Sequence, residues 1–254
     1  MSTRSELRTL IRLAPEVDTT ALSTADCNTL LDKGTIDLGL KGRAIPRNEK
    51  VNTVASQQEY VLSGASSVLS QNDFLAVDMI EGGVLFYDGS RWVGSANGEF
   101  MPVTREWLDL NYTGWRTNSA VSVPQYWYVG AGVDNSNNLS LGLVDKPSSS
   151  TTDAIWIHYL SRGKLMTDDT HYPWTGTTTQ LIHLEPYEVL LVYYVLEWYN
   201  RLIGKNDADA DKYKLLYESG AQMMAKRLPL MDHLIKDGFT APPYFSRGAS
   251  TRRH

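Results

Sequence analysis

The sequence has one cysteine, Cys27, among its 254 residues. A single thiol excludes an intramolecular disulfide and any zinc site built from several thiolates, so Cys27 is expected to fill a helix face as a small apolar residue. Long apolar runs are also missing. The longest, Val189–Leu196, is far short of a membrane span, and MSTRSELRTLIRL lacks the apolar stretch and cleavage site of a signal peptide. Positive charge is in deficit: 24 Lys and Arg stand against 29 Asp and Glu, a net −5, which argues against gripping nucleic acid through its phosphates. These absences predict a soluble protein made in a reducing compartment. The length suffices for one large domain or two modest ones.

The signatures of catalysis are missing too. There is no G-x-S-x-G, no Walker lysine loop and no G-x-G-x-x-G after a strand. His183 and Glu185 form an H-x-E without the P-C-x-x-C half of a deaminase zinc site. His158 follows Trp156 on a strand pattern and reads as a structural histidine; Asp168, Asp169 and His171 read as a surface turn. Asp207, Asp209, Asp211 and Glu218 match positions 1, 3, 5 and 12 of a calcium-binding EF-hand loop. Position 6 must be glycine there and is Lys212, so these acids read instead as a helix start. A glycosidase would need two facing carboxylates, for which Glu99, Glu106, Asp109 and Asp153 are candidates, but their convergence is not legible. The expectation is a protein that is not an enzyme, with no catalytic residues, metal or cofactor.

What the sequence does have is periodicity and aromatics. Thr3 and Glu6 have capping-box spacing, Leu7, Leu10, Ile11 and Ala14 share a face, and Pro15 stops this first helix. A second helix starts at Ser23 or Thr24, with Cys27, Leu30, Leu31 and Leu38 inward and Gly34 in its middle. From Lys50 to about Leu160 the period falls to two, as in Val51, Thr53, Tyr60, Leu62, Val84 and Phe86. Gly82-Gly83 and Asp88-Gly89 mark tight turns, so MIEGGVLFYDGSRWVG reads as a hairpin with a further turn. Thr104 caps a short helix, and strands resume at Gln125–Val129, Asn138–Leu143 and Ala154–Leu160. Glu185–Ile203 is a helix apolar nearly all round, which implies cover on more than one side, by its own domain or by a neighbouring subunit. A further helix starts at Asn206 or Asp207 and is expected to end at Pro229.

The first helix is too short to be stable alone and needs the C-terminal hairpin. The expected fold is therefore α+β. Residues 1–45 and 180–228 form a helical bundle, residues 46–179 an inserted antiparallel β domain, and residues 229–254 an extended tail.

The order of elements resembles the head-to-tail adaptor (connector) family of tailed bacteriophages. The residues that carry this are Tyr60-Val61-Leu62, Asp73-Phe74-Leu75-Ala76-Val77, Trp107 with Trp115, and Pro124-Gln125-Tyr126-Trp127. The pattern continues through Leu139–Pro147, Ile155–Leu160 and the helix pair from Pro186 to Leu228, with Ser63 where the pattern has proline. The resemblance implies a structural virion protein at the head–tail junction, assembled in the host cytoplasm. It implies a homo-oligomeric ring, typically a dodecamer, between portal protein and tail or nozzle proteins, with DNA only as transiting cargo and no membrane. Subunit contacts are then expected at Tyr193, Tyr194, Trp198, Trp127 and Tyr128, since aromatics anchor interfaces. Portal contacts are expected in the tail at Phe239, Tyr244, Phe245, Arg247, Arg252 and Arg253 around the extended Pro242-Pro243 pair. Two rival readings place the aromatics in a sugar groove: a carbohydrate-binding tail or fibre module, or a glycan-cleaving virion enzyme.

Overall fold

The computed structural model describes residues 1–70, 73–131 and 138–236, and among these are five α-helices and nine strands. Helices α1 (Arg4–Arg12) and α2 (Thr24–Lys41) come first, α3 (Arg105–Asn111) lies among the strands, and α4 (Val189–Tyr199) and α5 (Asp207–Lys236) follow. The chain divides into two units, residues 1–44 with everything from 164 onward, and residues 45–163.

In the helical unit, local chemistry sets where helices start. Thr3 Oγ1 accepts from the Glu6 N–H at 3.3 Å while the Glu6 carboxylate accepts from the Thr3 N–H at 2.7 Å, the reciprocal box that satisfies two orphan donors. Ser23 caps α2 on the Asp26 N–H. Helix α1 buries Leu7 and Ile11, α2 buries Cys27, Leu31 and Leu38, and α5 buries Tyr217, Ala221 and Met224. All three pack on α4, which buries Leu190, Leu191, Val192, Val195, Leu196 and Tyr199. Gly34 of α2 lies against Tyr194 of α4. A Cβ there would stand 2.9 Å from the Tyr194 ring, so glycine at mid-helix is the condition for this approach.

The strand unit holds two sheets. Strands β1 (Pro46–Val51), β3 (Phe74–Val77), β4 (Val84–Tyr87), β5 (Trp92–Val93) and β9 (Ile155–Ser161) form the first. Its centre is β9, with β1 on one edge and β4 and β3 end to end on the other. Strands β2 (Glu59–Val61), β6 (Met101–Pro102), β7 (Tyr126–Ala131) and β8 (Leu139–Val144) form the second, in the order β2-β8-β7-β6. Inward residues of both sheets, among them Tyr60, Phe74, Phe86, Trp127, Leu141, Leu143 and Ile157, make one core. The second sheet's other face carries Tyr128 and Val144, covered by Leu108 of α3 and by Trp115.

Two carboxylates, Asp73 buried and Glu59 half-buried, hold this unit at fixed points. Glu59 accepts from the Tyr128 hydroxyl at 2.6 Å and from Arg105 at 2.7 Å, while Asp73 accepts from Ser161 and Tyr159 and forms an ion pair with Arg47 at 3.2 Å. A buried acid is tolerable because it has several donors.

Several expectations are corrected. The fold is mixed α+β, with five helices and two sheets among the described residues, and a bundle built from the N- and C-terminal helices alone is not shown there. The helical unit's core also takes Leu22, Met166 and Trp174 from outside the helices, and α4 is preceded by a 3-10 segment (Ile182–Tyr187) and ends in a π turn (Asn200–Gly204). Residues 164–179, assigned above to the strands, belong with the helices: Arg8 clamps Asp169 through two 2.6 Å hydrogen bonds, and the Trp174 indole donates to the Thr35 carbonyl. The strands make two sheets, and β6 pairs with β7 in parallel, which a period of two cannot distinguish from antiparallel pairing. The Gly82-Gly83 turn closes no hairpin, since β3 and β4 both pair with β9; within that stretch the hairpin is β4 with β5, across Asp88-Gly89. The extended tail does not begin at residue 229. Helix α5 continues through Pro229 to Lys236, because proline removes one backbone donor yet keeps a helical φ.

Gly142 of β8 lies under the Tyr128 ring, and a Cβ built there would overlap it. Gly142→Ala is expected to force Tyr128 off its contact with Glu59 and to lower stability by about 1–3 kcal/mol. Urea unfolding measures this, and a midpoint equal to the parent's would contradict it.

Candidate interaction surface

The structure sorts the five aromatic residues expected at subunit contacts into two kinds. Trp127 is 4% exposed and Tyr128 1%, on opposite faces of β7. Placing them on a subunit surface is corrected: alternation along a strand sandwiched by core and helix buries both neighbours. Tyr193 and Tyr194 are half-buried. The first stacks on Tyr213 at 6.0 Å, and the second meets Tyr217 edge-on at 5.4 Å and Trp198 at 6.3 Å. Trp198 is 36% exposed and offers most of the three to a partner. Phe239, Tyr244, Phe245, Arg247, Arg252 and Arg253 lie outside the described residues.

Aliphatic residues, which the aromatic reading passed over, are more exposed. Ile182 is 70% exposed, and Val189, Leu202, Leu215, Leu216 and Met223 also reach solvent. Ile182, Pro186, Val189, Tyr193, Leu216 and Met223 line one groove of about 710 Å³ between α4 and α5, which Arg227 also borders. Exposed apolar residues gathered along one groove mark a contact site more reliably than the same residues scattered singly. The signal in the sequence was the pair Leu181-Ile182 just before the helix. A period count that begins at Glu185 misses it.

Tyrosine hydroxyls tie this region to carboxylates. Tyr217 donates to Asp37 at 2.7 Å under the Lys41 ammonium, and burial followed by that hydrogen bond pushes its pKa up. Tyr213 donates to Glu16, and burial with that bond raises it to about 12.

In the strand unit, the first sheet's outer face carries a ladder of rings. Tyr87, Trp92, Trp156 and His158 follow one another at 5.4, 5.4 and 4.8 Å, with the Lys50 ammonium 5.4 Å from both tryptophans. An open groove of about 1080 Å³ is lined by Glu99, Met101, Thr104, Trp107, Gln125 and Tyr126, with the Trp107 and Tyr126 rings 5.3 Å apart. Of the candidate acids, Glu99 pairs with Arg91 and Asp109 with Arg116, each at 2.6 Å, and the Arg116 bond holds the Asp109 pKa below its usual value. Asp168 closes a turn on Thr170, and Asp207, Asp209 and Asp211 stand in the first turns of α5. Among the described residues, no three His, Cys, Asp or Glu side chains cluster to hold a metal ion, and no helix is long and apolar enough to cross a membrane.

A family model described as SU10 adaptor protein matches residues 3–234. The chain belongs to the SU10 adaptor protein family. That is a phage head-to-tail adaptor family, so the protein is a structural component of the virion that associates with other virion components. No curated protein matches the sequence. The match takes in α1, both sheets and nearly all of α5, so the groove and Trp198 lie within the matched residues.

A tyrosine pKa held above the ordinary 10.0 means that the protonated hydroxyl stabilises the fold. This contribution is complete below pH 10 and is lost as pH rises through the folded-state value. Tyr217→Phe is expected to cost about 1–2 kcal/mol at neutral pH. The gap to the parent should close as pH rises above 10, followed by urea unfolding at stepped pH. A gap that stays constant there would show that Asp37 does not hold the hydroxyl.

Proposed function

We propose that this adaptor assembles as a ring of identical subunits, by resemblance a dodecamer, between the portal and the tail or nozzle proteins at the head–tail junction. DNA passes through the ring. The observation that carries the reading is the family match over residues 3–234. The net charge of −5 supports it, because an acidic wall lets a polyanion slip past without binding. Subunits meet through the end of α4 and the π turn after it, at Trp198 and Leu202, with Tyr193 and Tyr194 supporting from partly buried positions. The tail residues Phe239, Tyr244, Phe245, Arg247, Arg252 and Arg253 dock on the portal, where aromatics supply area and arginines supply complementarity to an acidic surface.

A second reading, a carbohydrate-binding tail module, is favoured by the groove of Trp107, Tyr126, Glu99 and Gln125, since an exposed indole beside polar groups suits a sugar ring. A glycan array separates the two: binding abolished by Trp107→Ala would favour it.

Particle mass with and without portal tests the first reading. Trp198→Glu is expected to leave a folded subunit, with stability within about 0.5 kcal/mol, because the residue is partly exposed. Rings should fail, since each contact would bury a carboxylate against apolar surface. Normal rings from this variant and from Leu202→Glu would place the contact elsewhere. Truncation after Lys236, the end of α5, should leave a folded subunit that no longer joins the portal. Undiminished portal affinity would remove the tail from that role.

A further inference from the structure

Helix α4 is left uncovered on two opposite sides. On one, Val189 and Tyr193 open onto the apolar groove shared with α5, where Ile182 is 70% exposed and Met223 52%. On the other, Trp198 is 36% exposed, and Leu202, 62% exposed, follows it in the π turn. Val189 and Trp198 stand nine residues apart, about two and a half turns at 3.6 residues per turn, so the two openings face away from each other. We infer that the groove receives the Trp198–Leu202 side of a second copy of this chain. Each subunit then fills one neighbour's groove and has its own filled by another. The inference rests on the reading of Trp198 and Leu202 as a subunit contact, and it supplies the surface that they meet.

Geometry argues for a head-to-tail contact. The openings lie at opposite ends of α4 as well as on opposite sides. The groove begins beside the 3-10 segment before the helix, and the patch ends in the π turn after it. In a two-fold pair each copy gives its patch and its groove to the same partner, which requires both on one side of the helix. Half a turn of offset sends them to different partners. An apolar patch that meets a groove elsewhere on the same kind of molecule makes a heterologous contact, which continues from subunit to subunit and closes into a ring where the rotation permits.

Chemistry argues for this occupant. Met223 and Arg227 line the groove, and a thioether packing on a ring edge and a guanidinium stacking on its face both favour an arriving indole. Aromatic, methionine and arginine side chains are the types that interface cores enrich. The charges also match. Among the described residues the groove's lining holds Arg227 and His183 and no acid. The patch has the opposite balance: Arg201, three residues after Trp198, holds Glu197 at 3.5 Å and Asp211 at 3.0 Å, two acids to one base, and the Asp211 side chain is 71% exposed. An acidic border around an apolar patch complements a basic border around an apolar groove, which fixes the direction of the contact.

Photo-cross-linking of the full chain tests the inference. Benzoylphenylalanine in place of Leu202 puts the reactive group on the patch and leaves Trp198 intact, and mixing isotopically heavy with light protein marks joins between copies. In concentrated protein, with and without portal, the label should capture the other copy at peptides holding residues 182–189 or 216–227, mapped by mass spectrometry. Ile182→Asp should lower that capture about tenfold and Arg227→Asp about threefold. Both positions are exposed, so an unchanged urea midpoint is expected to accompany the loss. Capture between copies at other peptides, or capture that ignores both substitutions, would overturn this pairing while leaving a ring of subunits standing. Capture of the portal in place of a copy would overturn it in favour of the portal as the patch's partner. No capture between copies in either condition would overturn both the pairing and the subunit contact on which it rests.

Discussion

The helical unit depends on the burial of α4. Val189–Tyr199 is eleven residues with a single charged side chain, Glu197, and water cannot be a partner for most of its surface. At about 25 cal/mol per Å² of apolar surface removed from water, six buried large side chains outweigh any single hydrogen bond in the unit. Everything else there follows from covering this helix. Helix α1, nine residues long, is too short to persist alone and gains its stability by laying Leu7 and Ile11 into the same core. Helix α2 must carry glycine at position 34 so that the Tyr194 ring can approach its backbone. Helix α5 covers another side with Tyr217, Ala221 and Met224. The cover is incomplete at Val189 and at Trp198, and both of the helical unit's candidate contact regions begin at those gaps.

Elements whose cause is local were legible in the sequence. The capping box at Thr3 and Glu6, the Ser23 and Thr104 caps, and the Asp88-Gly89 hairpin all depend on residues within a few positions of one another. Non-local pairing was not legible. That β9 accepts β1, β3 and β4 is decided by which faces bury the most when the chain collapses, and a period of two is the same whichever neighbour a strand takes. The extent of α5 was misread for a different reason. Pro229 has the wrong hydrogen-bond inventory for a helix interior but the right φ, and the second property prevails here. The family resemblance succeeded because it rests on the order of elements, which is robust to each of these errors.

The aromatic residues show why contact sites are harder to read than folds. Trp127 and Tyr128 are adjacent on β7 and were natural anchors for an interface, since large rings bury much area at small entropic cost. The same property makes them good core residues, and nothing along the chain separates the two uses. Only the geometry does: one ring faces the first sheet and the other lies over Gly142 and beside Trp115. Exposure of aliphatic residues is the more discriminating sign, because an isolated leucine or isoleucine gains nothing from water.

For an adaptor, the division of labour in this chain has a physical consequence. The strand unit ties two of its acids to fixed partners, Glu59 to Tyr128 and Arg105, Asp73 to Ser161 and Tyr159, and these bonds resist deformation. In the helical unit, by contrast, exposed aliphatic side chains line the groove around residues 182–227. An apolar groove holds what enters it by area rather than by directional bonds, so one occupant can be exchanged for another at small cost. Directional bonds where shape must be kept, and undirected contact where partners must change, is the arrangement that a protein joining successive components of a particle requires.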